Sequence, residues 1–120
     1  MKRILIVDDE PHVLRVLRYA LEREGYRIET ARDGAAALKR IAEAPPDTMI
    51  TDLMMPGMTG RQLCQELHRI DPRRSFPIWV MTSRAERSDR EWMDAIPNLE
   101  FLEKPVSPRF LLSKLEAAHG

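Results

Sequence analysis

The feature that most limits how this chain can fold is an alternation. Five short apolar runs are separated by amphipathic stretches, and the joints between them are only a few residues long. The runs are 3–7 "RILIV", 26–30 "YRIET", 48–52 "TMITD", 77–83 "PIWVMTS" and 99–104 "LEFLEK". The first is rich in branched apolar residues with no polar alternation, the pattern of a parallel strand buried on both faces. The second reads as a weaker, edge-like strand, and the fifth as a short strand near an edge. Between them the apolar spacing turns helical. Val13, Leu14, Leu17, Ala20 and Leu21 follow Pro11, which suits a first helical turn with Asp9 or Glu10 near the cap, and Gly25 is a stop signal. Residues 33–44 form a second helix ended by Pro45 and Pro46. "RQLCQELHRI" forms a third, opening at Gly60. Trp92, Met93 and Ile96 give rough helical spacing within 84–96. Residues 107–118 form the last helix, with Ser107 as cap and Pro108 in the first turn. Strands alternating with helices on short loops predict an α/β domain: a doubly wound parallel sheet with helices on both faces.

The length of 120 residues fits one domain, 1–120, with a core that needs no staples. Nineteen basic and nineteen acidic residues cancel, so no basic half or tail points to nucleic acid. No run approaches the ~20 apolar residues of a membrane helix, and the start is no signal peptide, which makes the cytoplasm the expected compartment. Cys64, the single cysteine, lies in a helical pattern and reads as a small buried apolar residue.

In an open parallel sheet, ligands bind beyond the carboxyl ends of the strands. The first strand ends in Asp8 and Asp9, the third in Asp52, the fourth in Thr82 and Ser83, and the fifth in Lys104 before Pro105. Taken singly, each has an ordinary explanation as a cap, a turn residue or a solvated charge. Together they put three carboxylates, a hydroxyl and an ammonium at one edge. Clustered carboxylates raise one another's pKa unless cations neutralise them. A lysine and a hard divalent ion would do so, and magnesium, which takes oxygen ligands, fits best, with manganese as a substitute. One cysteine and the scattered His12, His68 and His119 do not make a zinc site. His12 reads as solvated or locally capping. No glycine-rich turn follows the first strand, which argues against dinucleotide binding.

"ILIVDDEP", "MITDLMMPGMTG", "VMTS" and "FLEKPV", in register over residues 3–118, resemble the receiver domain of bacterial two-component response regulators. The resemblance implies a flavodoxin-like fold with strand order 2-1-3-4-5. It implies that Asp52 accepts a phosphoryl group from a phosphohistidine on a partner histidine kinase or phosphotransfer protein. Asp9 matches the direct magnesium ligand, Asp8 one acting through water, and the backbone carbonyl of Met54 a further oxygen. Lys104 matches the lysine that pairs with the phosphoryl oxygens. Thr82 matches the switch hydroxyl, Phe101 the aromatic that changes rotamer with it, and Pro105 a proline whose peptide bond is usually cis. The implied output surface is the fourth helix, fifth strand and fifth helix, used on an output domain, a target protein or a second copy in a homodimer. The domain is then a phosphoprotein switch and not an enzyme, with no direct binding to nucleic acid or membrane.

Some positions depart from the pattern. Thr59 replaces a common aspartate but can still cap. Ser83 replaces a common alanine and is still small. Met54 brings an apolar side chain to the site, where it would hinder an attacking water and lengthen the phosphorylated lifetime. Phe101 lacks a tyrosine hydroxyl. "AIPNLEFLEKP" leans towards receivers attached to kinases or multidomain regulators. Two other readings are a pseudo-receiver kept only for protein binding and a magnesium-dependent aspartyl-phosphate phosphohydrolase. The second usually needs an acid two residues past the nucleophile, where this chain has Met54.

Overall fold

The computed structural model describes residues 1–83 and 91–120. Its elements run β1 (Arg3–Val7), α1 (Pro11–Glu22), β2 (Arg27–Ala31), α2 (Gly34–Glu43), β3 (Thr48–Asp52), α3 (Gly60–Ile70), β4 (Ile78–Thr82), α4 (Glu91–Asp94), β5 (Leu99–Glu103) and α5 (Pro108–His119). All five strands are parallel, in the order β2-β1-β3-β4-β5. The fold class, the strand order and both edge assignments therefore stand as expected. The β2 run lies one residue later than the sequence suggests, at 27–31. The helical spacing read across 84–96 survives as the short α4 turn, and its part on 84–90 falls outside the described residues.

Central and edge strands differ as their neighbours require. Every residue of β3 and β4 is buried, whereas β2 and β5 are only partly buried and carry exposed Arg27, Glu100 and Glu103. Charges on an outer strand discourage pairing with another chain. Successive residues of a strand point to opposite faces, so one sheet serves two cores. Leu5, Val7, Met49 and Val80 face α2, α3 and α4, joining Ala37, Leu63, Cys64 and Trp92. Ile4, Ile6, Ile50 and Trp79 face α1 and α5, joining Leu14, Leu17, Leu21, Leu111 and Leu115. Each fully buried side chain of this size contributes about 1.5–3 kcal/mol. Trp92, only 7% exposed, anchors the core.

Local chemistry sets the helix ends. Asp33 accepts from the Ala36 N–H at 2.8 Å, and Ser107 from that of Phe110 at 3.0 Å. Thr59 forms a full capping box with Gln62, so threonine does the capping work at that position. At α1 the expectation of Asp9 or Glu10 near the cap holds in position, though not through a side-chain bond. Glu10 is the N-cap residue but its side chain makes no capping bond, and the Glu10 N–H goes instead to the Asp8 carboxylate at 2.9 Å. Asp9 does not cap either. At the far end of α1, Gly25 takes φ +94°, with Gly25 N–H bonding to the Glu22 carbonyl and Tyr26 N–H to that of Leu21. That pair of bonds is the Schellman stop, which favours glycine.

Candidate functional site: an acidic cleft at the strand ends

The β1, β3 and β5 ends deliver their charges to one cleft of about 740 Å³, lined by Asp8, Asp9, Asp52, Met54, Lys104 and Pro105 among others. One carboxylate oxygen from each of Asp8, Asp9 and Asp52 lies within 4.8 Å of the other two. Asp8 and Asp52 are buried, at 4% and 5% exposure. At an effective dielectric of about 20, two such charges repel by on the order of 3 kcal/mol. Burial pushes the Asp8 carboxyl above its usual range. The hydrogen bond from Glu10 N–H opposes this, while the charges of Asp52 and Asp9 add to it and Lys104 offsets part.

The two oxygens of Asp52 are not equivalent. Oδ1 receives Lys104 Nζ at 2.6 Å and the Leu53 N–H at 2.9 Å. Oδ2 accepts no hydrogen bond among the described residues. One oxygen therefore anchors the group and the other is available to a ligand or an electrophile. Backbone packing fixes the carboxylate's position. The Gly60 N–H donates to the Leu53 carbonyl at 2.8 Å, and a Cβ at Gly60 would stand 2.2 Å from the Asp52 carbonyl oxygen. Only glycine lets α3 start that close to the end of β3. The Lys104 N–H bonds to the Thr82 carbonyl at 2.8 Å, holding the lysine's backbone to β4, and the Lys104–Pro105 bond is cis.

The donor set of three carboxylates, with neither thiolate nor imidazole, suits a hard cation such as magnesium. Burial is the first cause of the raised Asp8 carboxyl, and the neighbouring charges of Asp52 and Asp9 add to it. Met54 lies at the rim with its side chain 58% exposed. Thr82 is buried, and its hydroxyl donates to the Ser83 carbonyl at 3.1 Å. Phe101 is half-buried and packs on the α2–α3–α4 core. Asp8, Asp9, Asp52, Met54, Lys104 and Pro105 thus meet in the cleft, while Thr82, Ser83 and Phe101 are not among the residues that line it. Cys64 is fully buried and His12 is exposed on α1.

Sequence reasoning missed an apolar wall. Val13 and Leu17 of α1, with Met81 and Val106, line the same cleft. Val13 and Leu17 are four residues apart on one helix face, which flagged them as core. Nothing in that spacing says the core opens onto the carboxylates. Gly60 was legible only as a helix start, because its closeness to Asp52 is a tertiary fact.

The response regulator receiver domain profile matches residues 4–116, and the chain belongs to that family. It is 35% identical over 116 residues to the alkaline phosphatase synthesis transcriptional regulatory protein PhoP of Bacillus subtilis, covering 97% of this chain and 48% of that protein. The chain thus spans about half the length of such curated relatives. Among solved structures, Vibrio cholerae chemotaxis protein CheY4 superposes with TM-score 0.86 at 30% identity, covering 98% of both chains. Thermotoga maritima TrrA, solved in complex with magnesium and beryllofluoride, superposes with TM-score 0.82 at 32% identity, again over 98% of both. No helix among the described residues is long and apolar enough to cross a membrane.

Proposed function

We propose that residues 1–120 act as one cytoplasmic receiver domain that takes a phosphoryl group onto Asp52 from the phosphohistidine of a kinase or phosphotransfer protein. The observation that carries this reading is the pairing of Lys104 Nζ with Oδ1 of Asp52, a carboxylate clustered with those of Asp8 and Asp9. In the reaction, Asp52 Oδ2 attacks phosphorus. The O–P bond forms as the P–N bond to the donor imidazole breaks, and the imidazole leaves with a proton from solvent. The product is an acyl phosphate. Such transfers depend on in-line positioning and on neutralising the equatorial oxygens. Lys104 covers one of them. Asp8, Asp9, Asp52 and the Met54 carbonyl would hold magnesium, which when bound supplies the remaining positive charge.

Switching then follows from Thr82. Its hydroxyl is held by the Ser83 carbonyl, so it has to turn to reach a phosphoryl oxygen. That turn vacates room for Phe101, which already packs beside the α4 core. The shift passes to the surface of α4, β5 and α5. A modification of this kind redistributes states already close in energy. The role is regulatory, with no separate substrate turned over.

The test is labelling with acetyl phosphate in magnesium. The expected result is one phosphoryl group, sensitive to hydroxylamine as acyl phosphates are, that is absent from Asp52→Asn and absent when the metal is chelated. Label retained in Asp52→Asn would overturn the assignment. Complete failure of the wild type to react would favour the pseudo-receiver reading.

A further inference from the structure

A second buried charge lies at the other end of the sheet. Arg74 sits between α3 and β4 and is 8% exposed. Its Nε donates to the Phe76 carbonyl at 3.1 Å. Its Nη2 donates to the Asn98 carbonyl at 2.8 Å and also to that of Pro97. The guanidinium lies 5.9 Å from the Phe76 ring centre. Among the described residues no carboxylate lies within ion-pair distance of it, although the charge of Asp71 acts on it, and its Nη1 is buried without a hydrogen-bond partner. A buried cation with only carbonyl acceptors is costly, so its removal from water has to be matched by what its fork holds together.

The fork holds the entrance to β4 against the turn between α4 and β5. Asn98, in the left-handed region at φ +55°, is the centre of that junction. Its carbonyl accepts from both Arg74 and the Ile78 N–H, the latter at 3.1 Å, where β4 and β5 begin to pair. Just inside, Phe76, Trp92, Met93 and Ile96 share one core. Because the strands are parallel, this junction lies about five residues, or roughly 16 Å, from the carboxylates. Lysine could not do the same work, since a single ammonium has no planar fork to span two segments.

We infer that Arg74 is the fixed pivot of the α4–β5 face, clamping its far end so that rearrangement begun at Asp52 stops short of Asn98. The pivot role rests on the phosphoacceptor reading, whereas the clamp does not. Both can be read residue by residue from amide exchange and chemical shifts of the whole 120-residue chain by NMR. Without any phosphate analogue, Arg74→Met should speed exchange at Leu99 and Ile78 at least tenfold while β1 and β3 keep their rates. Arg74→Lys, which keeps charge but loses the fork, should do the same and serves if the methionine variant does not fold. Unchanged rates, or an equal rise in every strand, would overturn the clamp.

Beryllofluoride with magnesium then tests the pivot. In the wild type, shift changes should be large at Thr82 and Phe101 and absent at Asn98. In the Arg74 variants they should extend to Asn98. Changes at Asn98 in the wild type as large as those at Thr82 would overturn it. A wild type in which no residue responds contradicts the phosphoacceptor reading and the pivot with it, and leaves the clamp to stand on its own exchange rates.

Discussion

The two ends of the sheet bury charge in opposite ways. At the amino-terminal ends of β4 and β5, Arg74 is surrounded by carbonyls of Phe76, Pro97 and Asn98 that its fork satisfies. At the carboxyl ends, Asp8 and Asp52 are equally buried but cluster with one another and Asp9, with Lys104 paired to Asp52. The first arrangement holds the fold together. The second sets like charges side by side. Both ends are therefore distinguishable by mutation: removing charge at the lower end should weaken the protein, and removing it at the upper end should strengthen it.

The largest effect is expected at Cys64, which backs onto the lower end. Burial pushes its thiol from about 9 up to about 12, with Arg74 pulling slightly the other way. At pH 8 its thiolate should be roughly a thousandfold rarer than in the unfolded chain. Alkylation should therefore be negligible in native buffer and rapid in urea, and native labelling at the rate of a free thiol would contradict a dry core there. Because the folded pKa is the higher, this contribution is full below pH 9 and lost as pH climbs towards about 12.

Next in size is Gly60→Ala. With its new Cβ at 2.2 Å from the Asp52 carbonyl, α3 and β3 cannot keep their spacing. The expected cost is about 3 kcal/mol in urea unfolding, with lost phosphoryl acceptance in what remains folded. A neutral outcome would mean the β3–α3 approach is not tight. Arg74→Met should cost about 2 kcal/mol, since carbonyls it satisfied are left unpaired. Unchanged urea unfolding would remove the lower half of the contrast.

Much of this was legible in the sequence, for physical reasons. Buried parallel strands write unbroken apolar runs, as in 3–7 and 48–52, and sheet topology sends every strand end to one edge. That is why Asp8, Asp9, Asp52 and Lys104 could be grouped before any coordinates, and they do meet. What the sequence hid depends on contacts across the fold. Arg74 lies in the polar "DPRRS" after the third helix, and nothing local says that it reaches Asn98, 24 residues on. Gly60 looks like an ordinary helix start until its neighbour is the backbone of Asp52. At α1, Glu10 takes the cap position as the sequence suggests, but the bond at that joint comes from the Glu10 N–H to Asp8, itself a site residue. Likewise, Val13 and Leu17 announce a helix face but not the cleft it borders.

The smallest effect is the most direct test, because its sign is decided by the central claim that the upper end is built in electrostatic conflict for a cation to resolve. Asp8→Asn keeps an acceptor for the Glu10 N–H but removes one of the charges crowded beside Asp52. Urea unfolding of wild type and variant, with and without magnesium, should show the variant about 1 kcal/mol more stable in the absence of metal. Adding magnesium should raise the wild type by mass action and the variant much less, closing or reversing the gap. A variant less stable than the wild type without metal, or one that gains as much from magnesium, would contradict the account.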